Sequence, residues 1–154
     1  YLLFCDADVV MHVNMIQVMY DTLQDFPEAS YTYAGFKFGW KRFRPLEFDA
    51  DRLRKHNYIH TTSLIRRKDF PGFDLDVKRL QDWDVWLTML EQGNEGVMIP
   101  AELFEVLVDG DSRIGSAWMP SFLYKLPWNW IGWRPARLRK YEEAREAMKK
   151  KHNL

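Results

Sequence analysis

The sequence opens with an apolar run that ends on two acids separated by one small residue, YLLFCDADVV over residues 1–10. Residues 1–4 have the composition of a buried strand. Aspartate is a poor strand residue and is costly to bury without a partner, so Asp6 and Asp8 mark the point where the chain leaves the sheet. Because open α/β sheets bind ligands beyond the carboxyl ends of their strands, the pair forms either a simple turn or a site for a hard divalent cation.

Composition limits the class of protein that this sequence can form. The 154 residues suffice for one domain with a real core, and with 47% hydrophobic residues disorder is not expected. Lys plus Arg and Asp plus Glu both number 22, so the overall charge does not indicate a nucleic-acid partner. The single cysteine, Cys5, excludes an intrachain disulfide and fits a reducing, cytoplasmic compartment, and its apolar neighbours predict a small core residue. No apolar stretch reaches the roughly 18–20 residues that span a bilayer.

Apolar periodicity predicts the main helices and strands. Residues 13–26 and 80–92 have helical spacing, and residues 30–40 alternate in the manner of a strand. We expect residues 58–67 to be rich in β-structure. Residues 96–100 and 103–108 are predicted to form two short strands around a turn.

A second acidic feature, LQDWDVWL over residues 80–87, lies at the start of the second predicted helix. The helix dipole favours acids in the first turn, so Asp82 and Asp84 have a purely structural interpretation. Residues two apart on a helix point about 200° away from each other and cannot share one role. If Trp83 and Trp86 face the core, Asp82 projects towards a cleft, where an apolar wall would give it the raised proton affinity of a general base.

The two acidic features together suggest one chemistry. A metal ion held at Asp6 and Asp8 would neutralise a diphosphate leaving group. A separate carboxylate at Asp82 would deprotonate an attacking hydroxyl. This division of labour predicts metal-assisted sugar transfer from a nucleotide diphosphate.

Four elements occur in an order that matches one enzyme family. After Asp6-Ala7-Asp8 come NYIHTTSLIRR (residues 57–67), GFDLD (72–76) and QDWDVWL (81–87), followed by EQGNEGVMIPAELFEV (91–106) as a glycine turn and hairpin. The corresponding patterns are Asp-x-Asp, N-x-I-x-x-x-S-x-I-R-R, an F-D element and (E/Q)-D-W-D-x-W-L. On these motifs, which cover roughly residues 1–108, the chain resembles the second half of the inverting family-2 glycosyltransferases, which have the GT-A fold.

The resemblance implies a partial GT-A fold, an α/β domain with a mixed sheet flanked by helices over residues 1–108, from which the family's N-terminal nucleotide-binding half is missing. We therefore expect the activity to belong to a longer, intact protein. The resemblance implies that Asp6 and Asp8 bind Mn2+ or Mg2+ together with the donor diphosphate, and that Asp82 activates the acceptor. It also implies an inverting, hexosyltransferase-type reaction between a nucleotide-sugar donor and a glycan or lipid-linked acceptor. Gln81 stands where the family often has an acid, and the histidine that completes the metal site in some relatives has no clear counterpart.

Further candidates for acceptor or phosphate contacts are Arg66, Arg67, Trp83 and Asp84. The arginine pair is otherwise a solvated strand end, and Trp83 is otherwise a core residue. His56 and His60 would lie about 13 Å apart along a strand, which is too far for one metal ion. We therefore interpret both histidines as surface or cleft residues.

Residues 109–154 form an aromatic and basic tail. Three tryptophans occur within residues 126–134 (LPWNWIGWR), and from Arg134 onward there are eight Lys or Arg against three Glu. One interpretation is a solvated C-terminal helix whose neighbouring tryptophans pack against the rest of the protein. The other is a peripheral membrane contact, because tryptophan prefers the interface and basic residues attract anionic lipid.

Two other classes of function compete with sugar transfer. FCDADVV resembles the first motif of the haloacid-dehalogenase-like phosphatases, and GDS at residues 110–112 is similar to their last motif. That reading leaves QDWDVWL unexplained. The non-enzymatic alternative is a carbohydrate-binding or membrane-binding module that uses the aromatic tail.

Overall fold

The computed structural model describes residues 1–107 and 136–154, and it divides the chain into two compact units, Tyr1–Leu107 and Val108–Leu154. This division falls one residue before the predicted boundary between residues 108 and 109. Two features of the sequence lie outside the described residues: the tryptophan-rich stretch 126–134 and the GDS sequence at 110–112.

The first unit contains both strands and helices. Its strands are Leu2–Leu3 (β1), Val9–Met11 (β2), Tyr31–Phe38 (β3), Lys41–Phe43 (β4), Leu64–Ile65 (β5) and Gly96–Val106 (β6). Its helices are Met15–Asp25 (α1), Ala50–Lys55 (α2) and Gln81–Glu91 (α3), with a 3₁₀ turn at Arg67–Asp69. The second unit contributes the helix Ala136–Lys151 (α4). Within the described ranges, none of these helices has both the length and the apolar character needed to cross a membrane.

The six strands form one mixed sheet in the order β1-β5-β3-β6-β2, with β4 paired to β3. The pair β3 and β6 is parallel, and the other pairs are antiparallel. The buried side of α1 packs with Ala34 of β3, whereas Trp86 of α3 stacks on Tyr31. Because side chains alternate along a strand, these two helices cover opposite faces. The expected α/β architecture, a mixed sheet flanked by helices, is thus confirmed.

The prediction of two short strands around a turn over residues 96–108 was wrong, because Gly96–Val106 forms the single strand β6. The pairing with β3 continues on both sides of an irregularity, where it skips from Ile99 to Glu102. Pro100 and Ala101 bulge out of the ladder and are exposed. Proline has no N–H to donate, so a strand accommodates it at a bulge as readily as a turn does.

The β-rich stretch predicted over residues 58–67 was largely wrong, since only β5 is a strand. The preceding residues are irregular and are held by side chains. The Trp86 indole donates to the Ile59 carbonyl at 3.1 Å, and the Ser63 hydroxyl donates to the His60 carbonyl at 2.7 Å. The composition of this segment is typical of a strand, but its polar backbone groups find partners on α3 and in local turns.

Tyr31 joins the two parallel strands to α3. Its ring stacks on Trp86 with the centroids 4.7 Å apart. The same ring lies over Gly96, its partner in the ladder, and a Cβ added to Gly96 would come within 2.2 Å of the ring. Position 96 therefore has no room for any side chain while Tyr31 keeps this position.

We predict that Gly96→Ala lowers the free energy of unfolding by about 1–3 kcal/mol, the usual cost of overpacking a well-packed site. Urea denaturation followed by circular dichroism measures the change. In a Tyr31→Ala background the ring is gone, so there the second substitution should cost less than about 0.5 kcal/mol. Equal costs in both backgrounds would show that the ring is not what excludes the methyl group.

Candidate active site

Asp6 and Asp8 lie in the loop that joins β1 to β2, as expected for the point where the chain leaves the strand. The backbone of this loop is fixed by hydrogen bonds. The Val9 N–H donates to the Asp6 carbonyl at 3.1 Å, and the Leu107 N–H donates to the Asp8 carbonyl at 2.8 Å. Asp6 is exposed and Asp8 is half-buried. Cys5, predicted to be a core residue, is exposed in the same loop, because the chain has already left the sheet there.

Asp82 lies in the first turn of α3, where it is half-buried and next to a fully buried residue. The next residue, Trp83, is buried and donates its indole N–H to the Leu53 carbonyl of α2 at 2.7 Å. Asp82 itself is half-buried, and its Oδ2 accepts a hydrogen bond from Asn57 Nδ2 at 2.7 Å. The Asn57 Oδ1 accepts the Ile59 N–H at 3.2 Å, so both ends of this amide are fixed. Asn57 therefore helps to orient the Asp82 carboxylate.

The environment raises the pKa of Asp82 above its ordinary value. Burial is the largest cause, and the nearby carboxylate of Asp6 acts in the same direction. Hydrogen bonds from the Trp83 and Asp82 backbone and from the Asn57 side chain stabilise the charged form and oppose the rise only in part. The raised proton affinity expected for a general base at this position is therefore present.

His60 lies in the same region, packed against two aromatic rings. Its ring centroid is 4.7 Å from that of Phe36 and 5.0 Å from that of Phe104. Burial lowers its pKa, and Asp6 and Asp8 offset this only partly. The Thr62 N–H donates to His60 Nδ1 at 3.0 Å, so the neutral ring carries its proton on Nε2 and is a hydrogen-bond donor there.

Three separate segments of the sequence thus converge on one site. Asp6 interacts electrostatically with both Asp82 and His60, and Asp8 interacts with His60. Such interactions fall off with distance, so the loop, the irregular segment and the start of α3 are close together. Sequence reasoning predicted Asp6, Asp8 and Asp82 as site residues, and their function stays a prediction. It missed the roles of Asn57, although Asn57 opens the N-x-I motif, and of His60, because a strand was assumed there.

The side chains of the candidate site fit only a metal ion that is bound together with the phosphates of a substrate. Among residues 1–107 and 136–154, no group of three His, Cys, Asp or Glu side chains is arranged to hold an ion. His60 does not complete such a set, because its Nδ1 lone pair already accepts the Thr62 N–H. Magnesium, however, is commonly bound by one or two carboxylates together with substrate phosphates and water. Asp6 and Asp8 therefore fit an ion that binds together with a phosphate-bearing substrate.

Arg66 supports the fold rather than the site. Its Nε donates to the Ala29 carbonyl at 2.8 Å, and its terminal nitrogens donate to the Leu23 and Phe26 carbonyls and to the Tyr1 hydroxyl. These carbonyls lie at and just beyond the end of α1. A cation there satisfies carbonyls that lack partners within the helix and complements the helix dipole.

The other three candidate contact residues lie in different environments. Arg67 is exposed at the start of the 3₁₀ turn. Trp83 and Asp84 are only 2% and 3% exposed. Both side chains are almost fully buried, and their positions support the packing of α3. An acceptor or phosphate contact by any of the four residues stays a prediction.

Comparisons with known proteins do not identify the chain. No model of a known protein family matches it, and no curated protein matches it. The resemblance to family-2 glycosyltransferases therefore rests on the motifs quoted above.

We predict that Asn57→Ala raises the pKa of Asp82 further, because the carboxylate loses a donor that stabilises its charged form. Titration of carboxyl carbon shifts by NMR, with the Asp82 signal assigned through Asp82→Asn, measures the change. Asn94→Ala is the matched control, since Asn94 bonds Ser30 instead. An unchanged or lowered pKa in Asn57→Ala would contradict the orientation proposed for this amide.

The raised pKa of Asp82 also predicts how stability depends on pH. Between its ordinary value of 3.8 and the higher value in the folded state, the folded chain binds more protons than the unfolded chain. This carboxyl group therefore makes folding less favourable as pH rises through that range. We expect Asp82→Asn to gain stability relative to the unsubstituted protein between pH 3.5 and pH 7, measured by urea denaturation.

The exposed Asp21→Asn substitution serves as the control and should show no such gain. If Asp82→Asn instead loses stability relative to the unsubstituted protein as pH rises, the Asp82 charge is favourable in the folded state and the assignment of its environment is wrong.

Proposed function

We propose that this chain forms the acceptor-activating part of an inverting glycosyltransferase of the family-2, GT-A type. The enzyme would transfer a hexosyl group from a nucleotide-diphosphate donor to a hydroxyl of a glycan or lipid-linked acceptor. One observation carries the proposal: the charge of Asp6 contributes to the raised pKa of Asp82, although the two motifs are far apart in the sequence. An enzyme that must bind a diphosphate and activate a hydroxyl at one centre needs this juxtaposition.

The loop between β1 and β2 would bind the diphosphate of the donor. When bound there with the donor, Mn2+ or Mg2+ would supply charge that neutralises the departing diphosphate. Asp6 and Asp8 offer the carboxylate oxygens that such ions prefer. The neutral His60 ring beside them can donate its Nε2 proton to an oxygen of the same substrate, because its other nitrogen is engaged by Thr62.

The acceptor end of the reaction belongs to Asp82. Its carboxylate takes the proton from the acceptor hydroxyl, whose oxygen forms the new bond to the anomeric carbon of the sugar. The bond between that carbon and the diphosphate breaks, and its electron pair leaves with the nucleoside diphosphate. Asn57 holds the Asp82 carboxylate in position through Oδ2, which favours a single direction of proton transfer. Attack by the acceptor on the face opposite the leaving group inverts the sugar.

The proposal predicts different losses for Asp8→Asn and Asp82→Asn. In the intact protein, calorimetric titration of MnCl2 with UDP or GDP should show metal-dependent binding that Asp8→Asn abolishes. Asp82→Asn should keep nucleotide binding within about threefold, whereas sugar transfer falls by about 10²–10⁴-fold, the usual contribution of a general base. Asp21→Asn, on the exposed side of α1, is the matched control and should retain both properties.

Each alternative function gives another pattern in the same experiment. A phosphatase that uses the first motif loses phosphate release in Asp6→Asn but keeps it in Asp82→Asn. A non-catalytic binding module tolerates substitution of Asp6, Asp8 and Asp82 alike. Full transfer activity in Asp82→Asn would rule out this residue as the base.

A further inference from the structure

The hairpin formed by β3 and β4 places a tryptophan in water. The two strands are joined by the two-residue turn Gly39-Trp40, in which Gly39 has a φ of +56°. A residue with positive φ at this position suits the twist of a tight hairpin. Trp40 is 87% exposed. A large aromatic side chain exposed at the tip of a hairpin is available to contact another surface.

The hairpin is held rigidly at its base. The Phe36 ring stacks on Phe43 across the two strands, with centroids 4.7 Å apart and planes within 6°. On its other side Phe36 stacks on Phe104 of β6 at 5.2 Å. This continuous aromatic stack fixes the direction in which the tip projects from the sheet. The exposure of Trp40 is therefore a consequence of ordered structure.

The residues that follow the exposed indole in the sequence carry positive charge. Three of the four residues after Trp40 are basic, namely Lys41, Arg42 and Arg44. Arg42 forms an ion pair with Glu102 at 3.3 Å, and the Lys41 ammonium lies 4.7 Å from the centre of the Phe43 ring.

A groove beside the tip extends this basic surface. Arg42 and Arg44 line an open groove of about 520 Å³, whose other walls include Pro45, Met98 and Pro100. Glu102 also lines the groove, and its ion pair with Arg42 offsets the charge of that arginine. The positive charge of the groove therefore comes from the guanidinium of Arg44. The groove thus combines an apolar wall with a cationic rim.

We infer that this hairpin tip, defined as Gly39, Trp40, Lys41, Arg42 and Arg44, docks the protein on an anionic bilayer surface. Tryptophan partitions into the interfacial layer, where its ring is apolar and its N–H stays hydrated. Lys41 and Arg44 then lie at the level of the lipid phosphates, with which they are complementary in charge. A neutral glycan could stack on the indole, but it would make no use of the charges of Lys41 and Arg44. The inference does not depend on the proposed sugar transfer.

Sedimentation with lipid vesicles tests the inference without any measurement of turnover. The chain should bind vesicles of phosphatidylglycerol and phosphatidylcholine mixed equally, and bind pure phosphatidylcholine far more weakly. Trp40→Ser should lower the partition coefficient about tenfold, near the lower end of what burying a large apolar side chain contributes. Replacing both Lys41 and Arg44 by Gln should lower it about 25-fold, or about fivefold for each cation, which corresponds to about 1 kcal/mol per cation.

Matched substitutions away from the tip give the controls. Leu75 is 91% exposed and Lys78 and Arg79 are exposed, so Leu75→Ser and the Lys78→Gln/Arg79→Gln pair should leave binding unchanged. Circular dichroism of each variant checks the fold. Undiminished binding by the tip variants, or equal binding to neutral vesicles, would overturn the inference. An absence of vesicle binding would also overturn the inference. This includes the outcome in which the protein binds no vesicles but is retained on an immobilised glycan, and Trp40→Ser reduces that retention.

Discussion

The site depends on the way α3 is anchored by two buried indoles. Trp83 donates to a carbonyl of α2 and Trp86 to a carbonyl of the irregular segment, while the Trp86 ring stacks on Tyr31 in the sheet. A buried indole N–H without an acceptor would cost about 1–3 kcal/mol, so each bond holds its ring in one place. These contacts fix the start of the helix and, with it, the side chain of Asp82. They also hold the backbone between α2 and β5, which has few ladder bonds of its own.

Two opposing effects act on the pKa of Asp82 at the start of this helix. Backbone N–H groups there favour a charged carboxylate, whereas burial favours the protonated form, and burial is the larger effect at Asp82. Burial acts on His60 in the opposite sense and keeps the imidazole neutral, despite the acids of the loop. Burial in the same region therefore raises the pKa of the Asp82 carboxyl group and lowers the pKa of the His60 imidazole.

The candidate site and the hairpin tip share a common support. Phe36 stacks on Phe43 of the hairpin and on Phe104 of β6, and it also contacts the His60 ring. An ordered stack of this kind couples the position of the tip to that of the site. If the tip rests on a bilayer, the site is held close to that surface, where a lipid-linked acceptor would present its hydroxyl.

Patterns within one segment could be recognised before the structure was known. The ends of α1, α3 and β3 lie within two residues of their predicted positions, because their periodicity and their stop signals are local. The burial of Trp83 and Trp86 and the turn at Asp6 and Asp8 followed from the same kind of argument. The hairpin expected at Pro100 failed because a bulge and a turn use the same residues, and only pairing with β3 distinguishes them.

The sequence by itself determined which residues carry charge, where the chain must turn and which helix face is apolar. Only the tertiary structure decided which of these residues meet. Asn57 and His60 acquire roles because α3 and the strands Tyr31–Phe38 and Gly96–Val106 pack around a segment with no regular structure. Arg66 is engaged at the end of α1 for the same reason. Contacts between residues far apart in the chain depend on the packing of the whole sheet, and no local pattern contains that information.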